Sequence, residues 1–150
     1  MTEEIRDPGD EPCLKVLRPL VEAYSAVMRK DDRHTRTLGL TQAQFDVIAT
    51  LGDTEGLCCK QLSEATLVTK GTLTGVLDRL TAKGLVERVP SLEDRRYMLI
   101  RLTDRGVDCF KHVFPAHIKY LKPFFEEALS PSEMADLRAL LLKLKKSFEA

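Results

Sequence analysis

The sequence has no net charge, because 23 lysine and arginine residues balance 23 aspartate and glutamate residues. A neutral total removes the simplest argument for a nucleic-acid partner, so the distribution of charge carries the information instead. No apolar run approaches the roughly 20 residues that cross a bilayer, which argues against a membrane-spanning segment or a membrane partner. The acidic N-terminus lacks the apolar stretch of a secretory signal, so we expect a cytoplasmic protein.

Cysteine and histidine are scarce and follow no spacing typical of a disulfide framework or a zinc site. They are Cys13, Cys58, Cys59, Cys109, His34, His112 and His117. We therefore expect reduced thiols, no metal, no cofactor, and histidines at ordinary surface or interface positions. Cys109 and His112 lie three residues apart on a predicted helix, but no group that could orient them is evident. The sequence therefore does not predict an enzyme.

The charges that are present are unevenly distributed along the chain. Residues 1–12 carry five acidic residues, one basic residue and two prolines, which predicts a flexible acidic tail. Residues 60–105 carry nine basic and six acidic residues, an excess that suits attraction to phosphate. The length of 150 residues and the hydrophobic fraction of 43% suit a compact unit with a real core.

Apolar residues at three- and four-residue steps predict helices in the first half of the chain. A first helix runs from Cys13, fades in a charged run and stops near Gly39. Thr41 and Gln44 match a capping box that starts a second helix, which ends near a glycine. A third helix is predicted over Gln61–Leu67. Its inward-facing residues are expected to be Leu62 and Ala65.

The last third of the chain also has a helical pattern, starting from a predicted cap at Thr103. Pro115 and Pro123 are expected to kink or divide the first of these helices. Residues Ser130–Glu133 form a strong start signal for the last one. This apolar arm is too long to be buried on one small lobe, so we expect a partner subunit to cover it. The alternative is an arm that folds back as a monomeric cap.

The most informative segment runs from Thr69, a predicted N-cap, to Gly84, a predicted C-terminal glycine. One face of this helix carries apolar residues at helical spacing: Leu73, Val76, Leu77 and Leu80. The opposite face carries small, hydroxylated or cationic residues: Lys70, Gly71, Thr72, Thr74, Gly75 and Arg79. A glycine in an exposed helix costs about 1 kcal/mol relative to alanine, so some benefit such as close approach to another surface is expected. The alternative is a helix face that contacts only solvent.

Residues 85–89 and 97–102 alternate in the manner of strands, and a polar loop with Arg95 and Arg96 lies between them. A helix followed by a basic hairpin predicts a winged helix-turn-helix. The expected fold is mainly α with a small β-hairpin wing and a flanking helical dimerisation region. The predicted division is a flexible acidic tail at 1–12, a helical dimerisation region at 13–38 and 104–150, and a DNA-binding lobe at 39–103.

Two motifs make the chain resemble the MarR family of bacterial transcriptional regulators. The first runs from Thr69 to Arg88, and the second from Glu93 to Gly106. The second contains the family's Asp-x-Arg wing signature at residues 94–96, followed by the pattern Leu-Thr-x-x-Gly. The resemblance extends over nearly the whole chain. It implies a homodimer that binds a pseudo-palindromic site on double-stranded DNA, usually as a repressor.

The resemblance also implies how each subunit contacts DNA. Thr72, Thr74 and their neighbours would enter the major groove, which admits a helix and exposes base edges to hydroxyl groups. Arg96, or Arg95, would reach the narrow minor groove, braced by Asp94. The remaining cations suit phosphate contacts, which position the protein without specifying sequence. The complete predicted set is Lys70, Gly71, Thr72, Thr74, Gly75, Arg79, Lys83, Asp94, Arg95 and Arg96.

A small effector, often aromatic or anionic, is implied between the dimerisation region and the winged lobe. It would act by changing the spacing of the two recognition helices, provided that it binds the two arrangements with different affinity. The candidate lining residues are Tyr24, Met28, His34 and Phe45. Core packing explains each of these residues equally well.

Cys58 is the candidate for redox sensing, because a thiol at a helix N-terminus can have a lowered pKa. Packing or a weak helix cap is the favoured explanation. The sensor thiol of the hydroperoxide-responsive branch of the family falls near Leu17 and not at Cys13, which argues against Cys13 as a sensor. A second hypothesis for the whole protein is a winged-helix module that binds another protein through the same face.

Overall fold

The computed structural model describes residues 8–150 of the chain. Within them, six α-helices and one two-stranded antiparallel sheet confirm the predicted class, mainly α with a hairpin wing. The elements in chain order are α1 (Pro12–Thr37), α2 (Gln42–Leu51), α3 (Cys59–Ala65), α4 (Lys70–Ala82), β1 (Val86–Pro90), β2 (Met98–Leu102), α5 (Asp104–Ala128) and α6 (Pro131–Phe148).

Part of the segment predicted as an acidic tail, residues 1–12, has regular structure. Residues Pro8–Asp10 form a 3₁₀ turn, and α1 already begins at Pro12, where a proline is tolerated because the first helical N–H has no intrahelical partner. The rest of the predicted tail, residues 1–7, lies outside the described residues.

Hydroxyl caps start three of the helices, as the sequence predicts. Thr41 accepts a hydrogen bond from the backbone N–H of Gln44, whose side chain accepts from Thr41 in return. Thr103 starts α5, and Ser130 starts α6 in the same manner. Such caps satisfy N–H groups that the helix itself leaves unpaired.

Three details differ from the sequence prediction. α1 continues without fading to Thr37, because Arg36 pairs with Asp32 one turn away along the charged run. α3 ends at Ala65, which is exposed, and the chain buries Thr66 instead of the predicted alanine. The buried side chain at the end of α3 is therefore that of Thr66, one position after the predicted Ala65.

α5 is one unbroken helix, although Pro115 and Pro123 lie inside it. Each proline removes an N–H that would bond the carbonyl four residues earlier. Those carbonyls belong to Lys111 and Lys119, which are exposed, so water can bind them. The prolines therefore do not divide the helix.

The hydrophobic core lies almost entirely within residues 40–100. It consists of Leu40, Phe45, Val47, Ile48, Leu51, Leu62, Val68, Leu73, Val76, Leu77, Leu80, Leu85, Val86, Ile100 and Val113. In contrast, α1 buries only Thr35, and α6 buries no residue. The chain therefore has one packed lobe and a helical arm that is largely uncovered.

The sheet is fastened to the lobe at both ends. Leu57 pairs with Ile100 through two backbone hydrogen bonds, which attaches the α2–α3 segment to β2. At the other end, the Thr103 hydroxyl donates to the carbonyl oxygen of Gly84 at 2.6 Å. A Cβ at Gly106 would lie 2.0 Å from the Leu85 carbonyl oxygen, so only glycine fits there. These contacts give the Leu-Thr-x-x-Gly pattern a structural reason.

Candidate nucleic-acid interface

The predicted recognition helix, α4, presents its two faces as the sequence indicates. Its four apolar residues are all buried in the lobe. The small, hydroxylated and cationic residues of the other face are all exposed: Lys70, Gly71, Thr72, Thr74, Gly75 and Arg79. Gly84 follows the helix with a φ of 73°, the left-handed conformation that glycine adopts without strain. The apolar face of α4 is thus packed on the lobe, and the opposite face, called the open face of α4, is exposed.

The two glycines of α4 have no packing reason inside the chain. A Cβ built at Gly71 or Gly75 meets no atom within 4 Å. Alanine would therefore fit at both positions and would favour the helix by about 1 kcal/mol each. The chain thus leaves open space along this face where a side chain would otherwise project.

Polar contacts hold the N-terminal end of α4. Thr69 is the N-cap residue, but its hydroxyl donates to the hydroxyl of Thr72 at 2.9 Å and makes no side-chain bond to the backbone. On α2, Asp46 accepts a hydrogen bond of 2.7 Å from the backbone N–H of Leu67, in the turn before α4. Burial raises the pKa of the Asp46 carboxyl, while the bond from Leu67 opposes that shift. Asp46 therefore links α2 to the start of α4.

In the wing, Asp94 holds Arg96 in a fixed orientation. The guanidinium donates from Nη2 to Oδ2 at 2.7 Å and from Nε to Oδ1 at 3.0 Å, and the backbone N–H of Arg96 donates to Oδ1 at 3.1 Å. The hydrogen bonds from Arg96 keep the pKa of the Asp94 carboxyl below its usual value, so the pair stays ionised at neutral pH. The Arg96 side chain is nevertheless 84% exposed. The neighbouring Arg95 is exposed as well.

Lys83 is placed differently from the other predicted contact residues. Its ammonium donates to the carbonyl oxygen of Gly39 at 3.1 Å and to the side-chain oxygen of Gln44 at 3.2 Å. Lys83 lies about 20 Å along the helix axis from Lys70, at the opposite end of α4. In this structure Lys83 ties the end of α4 to the α1–α2 turn, and it is not gathered with the cations of the open face.

The candidate effector residues are brought together only in part. His34 and Phe45 both lie against the ring of His117, at centroid distances of 5.0 Å and 4.5 Å. The Met28 sulfur lies 3.0 Å from the Gln42 side-chain nitrogen at the same junction of α1 and α2. Tyr24 is 61% exposed and lies on α1 before Met28, closer to the N-terminus of the helix.

His117 is the residue that sequence reasoning misplaced at this junction. It was expected at an ordinary surface or interface position, but it is only 2% exposed within the chain. Its Nδ1 lies 2.7 Å from Nδ1 of His34, and its Nε2 lies 2.5 Å from Oδ1 of Asp31. The partners are more than 80 residues away in sequence. No local pattern in the sequence could have indicated the contact.

All four cysteines are free thiols. Cys58 is half-buried at the N-cap of α3, and its backbone N–H donates to the Gln61 side chain at 3.0 Å. Cys109 packs against the core, and burial raises the pKa of its thiol, which disfavours a nucleophilic thiolate. Within residues 8–150, no three potential ligand side chains converge on a metal position, and no helix has the length and apolarity to cross a bilayer.

Comparison with known sequences points to a single family. The profile of the MarR family matches residues 38–96. The chain is 34% identical over 143 residues to the transcriptional regulator PecS of Dickeya dadantii, covering 91% of this chain and 82% of that protein. It is 32% identical over 130 residues to the multiple antibiotic resistance protein MarR of Escherichia coli, covering 84% and 90%.

Solved structures agree with this assignment. AbsC of Streptomyces coelicolor, a MarR family regulator, superposes with a TM-score of 0.83 at 22% identity, covering 93% of this chain and 96% of that one. A mutant MarR from E. coli complexed with operator DNA gives 0.73 at 27%, covering 92% and 98%. Bordetella bronchiseptica BpsR, whose DNA binding is regulated by 6-hydroxynicotinic acid, gives 0.77 at 25%, covering 93% and 96%. The relatives PecS and MarR are regulators of this family, which confirms the prediction that the chain is not an enzyme.

Proposed function

The chain belongs to the MarR family of transcriptional regulators, and on that premise we propose that it is a cytoplasmic, sequence-specific DNA-binding repressor. It acts as a homodimer on a pseudo-palindromic operator and is released by a small-molecule effector. The DNA-binding lobe is residues 39–103, and the dimerisation region is residues 13–38 with 104–150.

The open face of α4 is the observation that carries this proposal. Gly71 and Gly75 weaken an exposed helix and fill no tight space in the chain. A double helix approaching this face gives them a purpose, because the absence of a Cβ lets the helix backbone come close to base edges. Thr72 and Thr74 supply hydroxyl groups on the same face, and Lys70 and Arg79 supply cations for phosphates.

The wing supports the same partner. Arg96 is exposed but held by Asp94, so little side-chain entropy remains to be lost when it enters a narrow groove. A guanidinium is the group that such a groove attracts most strongly, because the groove concentrates negative potential. Arg95 is the alternative for the same role.

A homodimer is supported by the apolar surface of the helical arm. Large hydrophobic residues remain exposed along α1, α5 and α6: Leu14, Val16, Leu17, Val21, Tyr24, Val27, Phe114, Ile118, Phe124, Phe125, Leu137, Leu140, Leu141, Leu142 and Phe148. A soluble monomer rarely leaves so many large hydrophobic residues uncovered on three helices. A second copy of the arm covers this surface and sets the distance between two recognition helices, about 34 Å for one turn of DNA.

The effector site is proposed at the junction of α1, α2 and α5, lined by Met28, His34 and Phe45 with Tyr24 at its margin. Aromatic rings and imidazole nitrogens there suit a planar aromatic or anionic compound. BpsR, a protein of the same fold, is regulated by an aromatic acid. Such a ligand shifts the protein between two arrangements only if it binds one of them more tightly.

A salt titration of DNA binding tests the proposal. With Lys70 and Arg79 of two subunits each neutralising a phosphate, a fourfold increase in salt should weaken binding on the order of a hundredfold. Replacing Lys70 by glutamine should lower the slope of log affinity against log salt by about 2 per dimer. Lys111→Gln, on the exposed surface of α5, is the matched control and should leave the slope unchanged.

The same titration separates DNA binding from the alternative of a protein-binding module. Selection from a random duplex pool should yield a sequence with two related half-sites. Binding that does not respond to salt, or a pool from which no sequence is enriched, would favour a protein partner for the open face of α4.

A further inference from the structure

His34, His117 and Asp31 form a partly buried hydrogen-bonded cluster whose proton count can be worked out from its geometry. Asp31 accepts from the Gln42 side-chain nitrogen through Oδ2 at 2.7 Å, so this end of the carboxylate is already satisfied by a donor. Its Oδ1 faces Nε2 of His117 at 2.5 Å. An ionised carboxylate only accepts hydrogen bonds, so His117 must carry its proton on Nε2.

The remaining nitrogens then determine how the histidine pair, His34 and His117, stays in contact. Neutral His117 has a lone pair on Nδ1, which accepts a hydrogen from Nδ1 of His34 across 2.7 Å. One added proton can occupy Nε2 of His34 without disturbing this bond. A second added proton places hydrogen on both Nδ1 atoms, so two N–H groups of two cations face each other. The pair therefore tolerates one extra proton and loses its contact with the second.

The surroundings supply two aromatic rings and one hydrogen-bonded carboxylate to the pair. The His34 ring stacks on Tyr120 of α5 with centroids 4.1 Å apart, and Phe45 of α2 covers His117. The titratable groups that face the pair are Asp31 from α1, Asp46 from α2 and Tyr120 from α5. Asp31 stabilises one positive charge on the pair, and no second carboxylate bonds to it among the described contacts.

The cluster lies where the helical arm joins the lobe that carries α4. Asp31 and His34 belong to α1, and His117 belongs to α5. On the lobe side, Gln42 of α2 bonds Asp31, and Asp46 of the same helix bonds the turn before α4. Separation of α1 from α5 at this point changes how α2, and with it α4, is held against the arm.

We propose that the histidine pair is a proton-sensitive contact between α1 and α5 that opens in acid when both rings carry an added proton, and that its opening weakens DNA binding. The consequence for DNA rests on the proposed function, whereas the opening of the contact is a property of the free protein. The proton itself is the ligand of this site, and Asp31 is its positioning residue.

The direction of the His34 titration agrees with this inference. Burial, followed by the charge of His117, lowers the pKa of His34, while Asp31 opposes the shift. A histidine with a lowered pKa in the folded state contributes stability above its ordinary pKa, and that stability falls as the pH drops below it. The pair therefore carries no added proton at neutral pH, and the second proton, which breaks the contact, requires more acid than the first.

NMR of the free protein tests the opening directly, because the chain has only three histidines. His112 is exposed and makes no contact with the cluster among the described contacts, so its signals serve as an internal reference. The nuclear Overhauser contact between His34 and Tyr120 should be present at neutral pH and should disappear in acid. A contact between His34 and Tyr120 that stays intact in acid while the protein remains folded would overturn the proposal.

DNA binding then tests the consequence. Between about pH 7.5 and about pH 4.5, the latter about two units below the ordinary histidine pKa, affinity of the wild type should fall at least tenfold more than that of His34→Asn. The asparagine amide can replace Nδ1 as a donor to His117 but does not titrate. His112→Asn is the matched control and should behave as the wild type. Equal losses in wild type and His34→Asn would overturn the link to DNA. Failure to bind any duplex at neutral pH would refute the proposed function, while the NMR result would still decide the contact.

Discussion

Replacing Gly75 by alanine should move the stability of the protein and its affinity for DNA in opposite directions. No atom lies within 4 Å of the added Cβ, so alanine introduces no clash inside the chain. Alanine in the middle of a helix is favoured over glycine by about 1 kcal/mol. For a chain of this size the melting temperature should therefore rise by about 2–4 °C. The double variant Gly71→Ala with Gly75→Ala should gain roughly twice as much.

On DNA the same methyl group should be harmful, because it projects from the face that approaches the groove. Overpacking of a close contact costs about 1–3 kcal/mol, so affinity for a selected duplex should fall by about tenfold or more. Thermal unfolding followed by circular dichroism gives the first quantity, at one fixed subunit concentration because dimerisation contributes to stability. Fluorescence anisotropy with a labelled duplex gives the second.

Ser147→Ala is the matched control, since it improves helix propensity by a few tenths of a kcal/mol in α6, far from α4 in sequence. It should raise the melting temperature slightly and leave DNA affinity unchanged. If the Gly75→Ala protein is more stable and binds DNA as well as the wild type, the glycines do not serve close approach, and the argument from the open face of α4 is refuted.

Three further substitutions test other parts of the structure. Arg96→Ala should weaken DNA binding by about 1–3 kcal/mol, measured by anisotropy, and an affinity equal to the wild type would remove Arg96 from the contact set. Leu141→Asp should convert the dimer to monomer in sedimentation experiments because it places a charge in the apolar arm, whereas Leu92→Asp, at the exposed wing tip, should leave the sedimentation profile unchanged. Gly106→Ala should lower the free energy of unfolding by about 3 kcal/mol, because its Cβ meets the Leu85 carbonyl oxygen, and unaltered denaturant unfolding would contradict that close contact.

Local signals in the sequence were sufficient for the starts of α2, α5 and α6 and for the two faces of α4. The hydroxyl of Thr41 caps the N–H of Gln44, and the hydroxyl of Ser130 caps the N–H of Glu133. Donor and acceptor are only three residues apart in each cap, so the prediction needs no tertiary information. The apolar face of α4 follows from helical spacing alone. The wing followed from strand alternation together with a family motif whose Asp94–Arg96 pair spans only two residues.

Contacts between distant segments could not be predicted in this way. The hydrogen bonds from the Lys83 ammonium to Gly39 and Gln44, about 40 residues earlier, could not be predicted from the sequence near Lys83, whereas its predicted phosphate contact stays a prediction. His117 was placed at the surface because nothing near it in the sequence indicates Asp31 or His34 as partners. Whether a polar residue is buried depends on which partner the fold supplies, and that information is not local.

The most direct test of DNA recognition by α4 is to select bound duplexes from a random pool with the wild type and with Thr74→Asn. An amide at residue 74 pairs with different base edges than a hydroxyl does, since asparagine favours adenine in the major groove. We expect the wild type to select a pseudo-palindrome, and the variant to change the preferred base at one position in each half-site, related by the two-fold symmetry. An identical selected sequence for both proteins would contradict the placement of this helix in the groove.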